Sequence, residues 1–177
     1  MGVILLNLFL FWGLNFGAGG TEEVYRVTEL RPYYHKATKC AETGQSFHKF
    51  MANYEGKDAR VLAFKAASEA VMAKYTWSPY SKLQHLKNSA KLFDQAVKLD
   101  SDDPEIRFLR YTVEYYVPRY LNLSPNIEED KKIVINSLIR YPKSGLEEEP
   151  CKIMRDFLLT KDHLNEAEKQ QLRSIKI

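Results

Sequence analysis

The fold is decided by residues 58–75, which read DARVLAFKAASEAVMAKY. Plotted as a helix, this stretch has apolar side chains on two sides. One stripe contains Ala59, Leu62, Ala63, Ala66 and Ala70, and the other contains Val61, Phe64, Val71 and Tyr75. A helix that is apolar nearly all round is buried, and its alanines let neighbouring helices approach closely. The stretch therefore predicts a central helix that is packed on two sides.

The segment that follows predicts a partner for this helix. Residues 76–80 (TWSPY) form a loop, and Ser81 is positioned to cap a helix that runs to about residue 100. Its apolar residues recur at steps of three and four, the spacing of one helix face: Leu83, Leu86, Ala90, Phe93 and Val97. Together the two helices have the dimensions of a helical hairpin.

The rest of the chain predicts more helices and no strands. We expect them over about residues 29–41, 46–53, 104–116, 127–141, 146–159 and 165–174. Gly44 is expected to end the first of these helices, Asn126 to cap the one at 127–141, and Asn165 with Glu168 to form a capping box. No segment alternates with a period of two. The sequence thus predicts an all-α fold of about eight helices in antiparallel hairpins.

Length and composition limit the class of protein. The chain has 177 residues, of which 45% are hydrophobic and 28% charged, enough for one domain of ordinary size. These values exclude a disordered tail, a polytopic membrane protein and a disulfide-dense scaffold. The 26 basic and 23 acidic residues are spread along the sequence, so we expect no nucleic-acid partner.

The first twenty residues have the outline of a secretory signal peptide. An apolar run over residues 3–16 precedes the small residues GAGG at 17–20, and no charged residue occurs before Glu22, although the usual basic residue ahead of the run is missing. Fourteen helical residues reach about 21 Å, short of a hydrocarbon core of roughly 30 Å. We therefore expect cleavage before Thr21, no stable membrane span afterwards, and an exported, periplasmic or secreted domain over residues 21–177.

The central hairpin resembles a tetratricopeptide repeat in part. Phe93, Ala96, Leu99 and Asp100 resemble the end of the second helix of that repeat. Ser101 stands where the repeat usually has proline, and the loop at Trp77 is too long for a period of 34 residues. We therefore expect a degenerate, tetratricopeptide-like array with a concave side.

Four segments carry a more specific resemblance. They are residues 30–37 (LRPYYHKA), 78–83 (SPYSKL), 104–111 (PEIRFLRY) and 126–132 (NIEEDKK). The chain resembles an uncharacterised family of small exported all-helical proteins of Bacteroidetes-type bacteria, and the similarity spans nearly all of the expected mature chain. The family has no assigned activity, so the resemblance implies export and a helical architecture and carries over no catalytic residue.

The candidate binding residues centre on two arginines. Arg107 and Arg110 lie one helical turn apart, and Tyr80, Lys82, Glu128 and Asp130 lie on neighbouring elements. In one interpretation the arginines form an ion-pair network between helices. In the other they line a basic groove for a peptide or an anionic ligand, with aromatic walls from Trp77, Tyr111, Tyr115 and Tyr120. Carboxylate partners for both arginines would favour the first interpretation.

Histidines, acids and cysteines offer fewer signals. None of the four histidines, His35, His48, His85 and His163, has another ligand at the spacing of a zinc motif, so we expect no metal and no cofactor. The acidic runs at 128–130 and 147–149 are explained by the helix dipole. Cys40 and Cys151 either pair in a disulfide or fill apolar helix positions as thiols.

No local catalytic motif points to an enzyme. The sequence contains no glycine-rich phosphate loop, nucleophile elbow or HExxH motif. We therefore expect a non-enzymatic helical scaffold that binds a protein or peptide partner in the cell envelope. The alternative is a carrier of a small apolar or aromatic ligand, which the eleven tyrosines and nine phenylalanines suggest.

Overall fold

The computed structural model describes residues 24–160 and 164–177, and within these ranges all regular structure is helical. The eight α-helices of these ranges are α1 (Val27–Ala37), α2 (Ala41–Ala52), α3 (Ala59–Tyr75), α4 (Pro79–Leu99), α5 (Pro104–Tyr116), α6 (Ile127–Ile139), α7 (Glu148–Thr160) and α8 (Glu166–Ser174). A short 3-10 helix, Arg119–Leu121, lies between α5 and α6. The all-α prediction is confirmed. The expected signal peptide at residues 1–20 lies outside the described residues.

Helices α3 and α4 pack as an antiparallel pair. Between α3 and α4, Ser89 Oγ donates a hydrogen bond to the carbonyl of Ala66 at 2.8 Å, and four residues earlier on α4, His85 contacts Glu69 further along α3. Residues further along α4 therefore contact residues earlier in α3, so the two helices are antiparallel, as expected for a hairpin. The loop between α3 and α4 has only three residues, 76–78, a length typical of an antiparallel helical hairpin.

The helices enclose two hydrophobic cores. The first contains buried side chains of α1 to α4, among them Leu30, Phe47, Phe64 and Phe93. The second contains buried side chains of α6 to α8, among them Val134, Met154, Leu158 and Leu172. Burial of such apolar surface is the main stabilising term in folding.

Helix α5 belongs to both cores. Ile106 and Leu109 pack into the first core, whereas Phe108 and Tyr111 pack into the second. The two apolar stripes of the sequence 104–116 therefore face different groups of helices. This makes α5 the element that joins the two halves of the molecule.

The predicted central helix is confirmed as α3. It packs against α1, α2, α4 and α5, and both of its apolar stripes contribute buried residues, including Val61 and Phe64 on one side and Ala63 and Ala66 on the other. Its alanines allow this close packing because they add little side-chain volume.

Three predicted helix ends differ from the structure, while one is confirmed. Gly44 lies inside α2 and is buried against α3, so closely that a Cβ there would lie 2.9 Å from Val71 Cγ1. The cap of α4 is Ser78, which accepts a hydrogen bond from the backbone N–H of Ser81. Asn126 makes no side-chain cap and instead donates to Glu114. The capping box of Asn165 and Glu168 is present at α8.

No helix within residues 24–160 and 164–177 combines the length and the apolar composition that crossing a membrane requires.

Candidate functional site

The two arginines of the candidate site lie inside the protein between α5 and α6. The carboxylate of Asp130, which has no exposed side-chain surface, accepts hydrogen bonds from Arg107 Nη1 at 2.9 Å and from Arg110 Nε at 2.7 Å. The side chains of Arg107 and Arg110 are only 6% and 5% exposed. Glu129 adds a contact to Arg107, and Asp94 of α4 adds one to Arg110.

In this network both guanidinium groups form ion pairs with carboxylates. Burial disfavours the charged form of Arg110, but its hydrogen bonds and ion pair with Asp130 more than offset this, so the pKa of Arg110 lies above its ordinary value. Buried ion pairs of this kind persist when the hydrogen bonds of both partners are satisfied. Both arginines have carboxylate partners, as the first interpretation required, and neither is free to bind an anionic ligand.

A second ion-pair group holds the start of α5. Arg31 of α1 donates from Nε and Nη2 to the two carboxylate oxygens of Glu105 at 2.7 and 2.9 Å, and from Nη1 to Glu147 at 2.5 Å. Asp103 caps α5 and also pairs with Arg60 of α3. These contacts attach the N-terminal end of α5 to α1, α3 and the segment before α7.

The structure does not bring the eight candidate binding residues together in one groove. Tyr111 is buried in the second core, and Tyr115 is half-buried with its ring 5.1 Å from that of Tyr116. Tyr120, in the 3-10 helix, is 82% exposed. Trp77, Tyr80 and Lys82 are also exposed, at the end of α4 that follows the α3–α4 loop. Only these last three remain as a local surface group.

Trp77 and Tyr80 are the most unusual members of this group. Trp77 is 98% exposed and Tyr80 is 78% exposed, three residues apart in sequence. Aromatic residues of this size normally bury most of their surface, and Trp and Tyr are enriched among the residues that dominate binding energy at interfaces. Neither side chain belongs to the two hydrophobic cores.

A stripe of lysines continues from Tyr80 along the outer face of α4. At about 100° per residue, Tyr80, Lys87, Lys91 and Lys98 fall within about 40° of one another on the helix. This face lies opposite the buried Ser89, Phe93 and Ala96. Within the described parts of the chain, none of these three lysines forms an ion pair. We call Trp77, Tyr80, Lys87, Lys91 and Lys98 the α4 outer face.

A cluster that the sequence analysis missed lies on a different side of α4. His48 Nε2 of α2 is 3.1 Å from Glu69 Oε1 of α3, and His85 Nδ1 of α4 is 2.6 Å from Glu69 Oε2. Burial raises the pKa of Glu69, but its hydrogen bonds to the two histidines outweigh this and hold the pKa below its ordinary value. The three residues are 21 and 16 positions apart, so no motif within one helix could reveal them.

The cysteines and His163 complete the account of the predicted residues. Cys40 is exposed at the start of α2, Cys151 is buried in the second core, and both are free thiols. The disulfide is therefore absent from this structure, and Cys151 acts as a small hydrophobic side chain instead. His163 lies outside the described residues.

The aromatic residues that suggested a ligand carrier pack mainly against one another. Tyr33 and Phe47 have ring centroids 4.9 Å apart in the first core, and Phe108 and Phe157 lie 5.5 Å apart in the second. Such edge-to-face pairs contribute to folding stability. Two open surface hollows flank α6, but their walls contain none of the eight candidate residues.

The chain was compared with known proteins. No protein-family model, no curated protein and no solved structure matches it.

Proposed function

We propose that the chain is an exported, non-enzymatic helical scaffold that binds an acidic segment of a protein partner on the α4 outer face. The observation that carries this proposal is the nearly complete exposure of Trp77 next to Tyr80, at one end of a row of lysines that form no ion pair with residues 24–160 or 164–177. The aromatic side chains supply buried anchor area upon binding, and the lysines supply charge complementarity.

The dimensions of the α4 outer face fit a short segment of a partner. From Tyr80 to Lys98 the helix extends over about 27 Å, the length of roughly eight residues of extended chain. Among these lysines lies one acid, Asp94, whose side chain is 69% exposed and whose carboxylate contacts Arg110 at 3.3 Å. An acidic partner segment would therefore meet three lysines and one carboxylate whose charge is partly offset by Arg110.

The rest of the molecule supports a scaffold role. The side chains of Arg110 and Arg31 are 5% and 10% exposed, and their ion pairs join α5 to α1, α4 and α6, so they hold the helices in place rather than recognise a ligand. A face presented on a rigid helix loses little conformational entropy when a partner binds. The outline of a signal peptide in residues 1–20 supports the proposal of export, and with it a partner in the cell envelope.

Site-specific photo-crosslinking tests the proposal. A photoreactive amino acid at position 80 is expected to give a discrete crosslink to an acidic protein, whereas one at the exposed Gln170 of α8 is expected to give none. The crosslink at position 80 should disappear in Trp77→Ala and in Lys87→Glu/Lys91→Glu.

The matched control changes the net charge equally on other elements. Lys39→Glu/Lys49→Glu replaces two exposed lysines outside α4 and should leave the crosslink intact. Loss of the crosslink in this control, or its persistence in both α4 variants, would contradict the proposed face.

A further inference from the structure

His48, Glu69 and His85 come from three different helices and converge on one point of the surface. Their side chains are 25%, 16% and 23% exposed, so the cluster is partly buried but reachable from solvent. One potential ligand atom from each residue can be chosen so that all three lie within 4.8 Å of one another. We propose that these residues form a binding site for a divalent transition-metal ion of the zinc class.

The distances suit such an ion. Zinc binds imidazole nitrogen and carboxylate oxygen at about 2.0–2.2 Å, which places neighbouring ligands of a tetrahedron roughly 3.3 Å apart. The nitrogens of His48 and His85 already lie 3.1 and 2.6 Å from oxygens of Glu69, and their rings are 5.6 Å apart between centroids. Small rotations of the three side chains are sufficient to surround an ion.

The ligand types select the class of metal. Two imidazoles and one carboxylate suit Zn²⁺, Cu²⁺ or Ni²⁺, whereas Ca²⁺ and Mg²⁺ prefer sites made of oxygen atoms. Three protein ligands leave a coordination position for water. The neutral imidazoles keep their proton on the other ring nitrogen when they bind the metal, and Glu69 supplies one negative charge.

The surroundings of the cluster favour a preformed site. The ion pairs that the structure shows for Glu69 are those with the two histidines, so within the described ranges no lysine or arginine competes for its carboxylate. The backbones beneath are fixed by the buried Ser89–Ala66 hydrogen bond and by the contact of Gly44 with Val71. Rigid supporting elements reduce the cost of organising ligands around an ion.

The site belongs to a different surface from the α4 outer face. On α4, His85 lies away from the stripe of Tyr80, Lys87 and Lys91, toward the helix side that meets α2 and α3. The metal site therefore does not depend on the proposed protein partner. Its effect would be to link α2, α3 and α4 at one point.

Zinc titration of the chelator-treated chain tests the proposal. Isothermal calorimetry with ZnCl₂ is expected to show one saturable site, and heteronuclear NMR should show that the imidazole resonances of His48 and His85 shift together on zinc addition. No binding tighter than about 1 mM, or shifts confined to the other two histidines, would overturn it. Both measurements use the wild-type chain and so do not depend on a variant that folds.

Variants then assign the ligands. Loss of a residue that only hydrogen-bonds to a metal ligand typically weakens metal binding tenfold to about 100-fold. Glu69→Gln, His48→Ala and His85→Ala should each weaken zinc binding by more than this. The matched control His35→Ala removes an exposed histidine of α1 and should leave the affinity unchanged. Unchanged zinc affinity in Glu69→Gln and in both cluster histidine variants, with circular dichroism of folded protein, would show that this cluster is not the site.

Discussion

Arg110 and Asp130 form a two-pronged ion pair in the interior of the protein. Arg110 donates from Nε to Oδ2 at 2.7 Å and from Nη2 to Oδ1 at 2.8 Å, and the carboxylate of Asp130 is fully buried. Asp130 also accepts a hydrogen bond from Arg107. Two buried guanidinium groups between α5 and α6 therefore share one buried carboxylate, and Glu129 and Asp94 supply further negative charge.

Removal of the charge of Asp130 is expected to destabilise the protein strongly. Asp130→Asn leaves two buried guanidinium groups with too little negative charge, a change that costs about 3–5 kcal/mol in comparable cases. The matched control is Asp94→Asn, because Asp94 pairs with the same arginine but is 69% exposed, and its loss should cost less than about 1 kcal/mol. Urea unfolding followed by circular dichroism measures both, and equal effects would contradict the prediction.

The contribution of Glu114 to stability is expected to depend on both of its carboxylate oxygens. They receive hydrogen bonds from the backbone N–H and the side-chain amide of Asn126 at 2.9 and 2.7 Å. Glu114→Gln turns an NH₂ group toward one of these donors, which should lower the free energy of unfolding by about 1–3 kcal/mol. Glu128→Gln, at an exposed position of α6, should change it by less than about 0.5 kcal/mol.

The effect of Glu114→Gln should also depend on pH. Burial raises the pKa of Glu114 above its ordinary value, despite the hydrogen bonds from Asn126. The stability that this titration contributes is fully present below the ordinary glutamate pKa and is lost as the pH rises through the raised value. Because glutamine does not titrate, the stability difference between wild type and variant should be larger at about pH 4 than at about pH 8. A difference that grows with pH would contradict the raised pKa.

Gly44→Ala is expected to destabilise the packing of α2 on α3. Alanine favours a helix over glycine by about 1 kcal/mol, but the new Cβ would lie 2.9 Å from Val71 and 3.1 Å from the ring of Tyr75. Overpacking of this kind costs about 1–3 kcal/mol, so the net effect should be a loss of stability. Ser46→Ala, at an exposed position of the same helix, should leave the melting temperature unchanged or slightly raised.

The two cysteines should react at very different rates. Hydrogen bonds from the backbone and side chain of Thr43 lower the pKa of the exposed Cys40, whereas burial raises the pKa of Cys151. Iodoacetamide at neutral pH should label Cys40 in the folded protein and Cys151 only after denaturation. Mass spectrometry under non-reducing conditions should find both thiols free, and a linked pair of peptides would refute this.

Trp77 should matter for binding and not for folding. Because its side chain is 98% exposed, Trp77→Ala should change the free energy of unfolding by no more than about 0.5 kcal/mol. By contrast, Phe93→Ala empties a buried position of the first core and should cost about 3–5 kcal/mol. Thermal unfolding of the two variants distinguishes them, and a large loss in Trp77→Ala would mean that this side chain supports the fold.

The architecture could be predicted from the sequence because its signals are local. The two apolar stripes at 58–75 indicate burial on two sides, and Asn165 with Glu168 defines a helix start through hydrogen bonds within four residues. The sequence also allowed the ion-pair interpretation of Arg107 and Arg110. The partners besides Asp130 are Glu129 and Asp94, whereas Glu128 was expected.

The cluster of His48, Glu69 and His85 could not be predicted because its residues meet only after three helices pack. Zinc motifs are recognised by ligand spacing within one helix or loop, whereas His48, Glu69 and His85 lie 16 or more positions apart. The position of Gly44 was misassigned for a related reason. A glycine that ends a helix and a glycine that admits a neighbouring helix look alike until the neighbour is known.

Helix α5 places the side chains of Phe108 and Leu109, adjacent in sequence, in different cores. A substitution in this short segment is therefore constrained by two sets of neighbours at once. The outer helices α1 and α8 contribute buried side chains to one core each. An apolar substitution at either end of the molecule has to suit one core, whereas a change in α5 has to suit both.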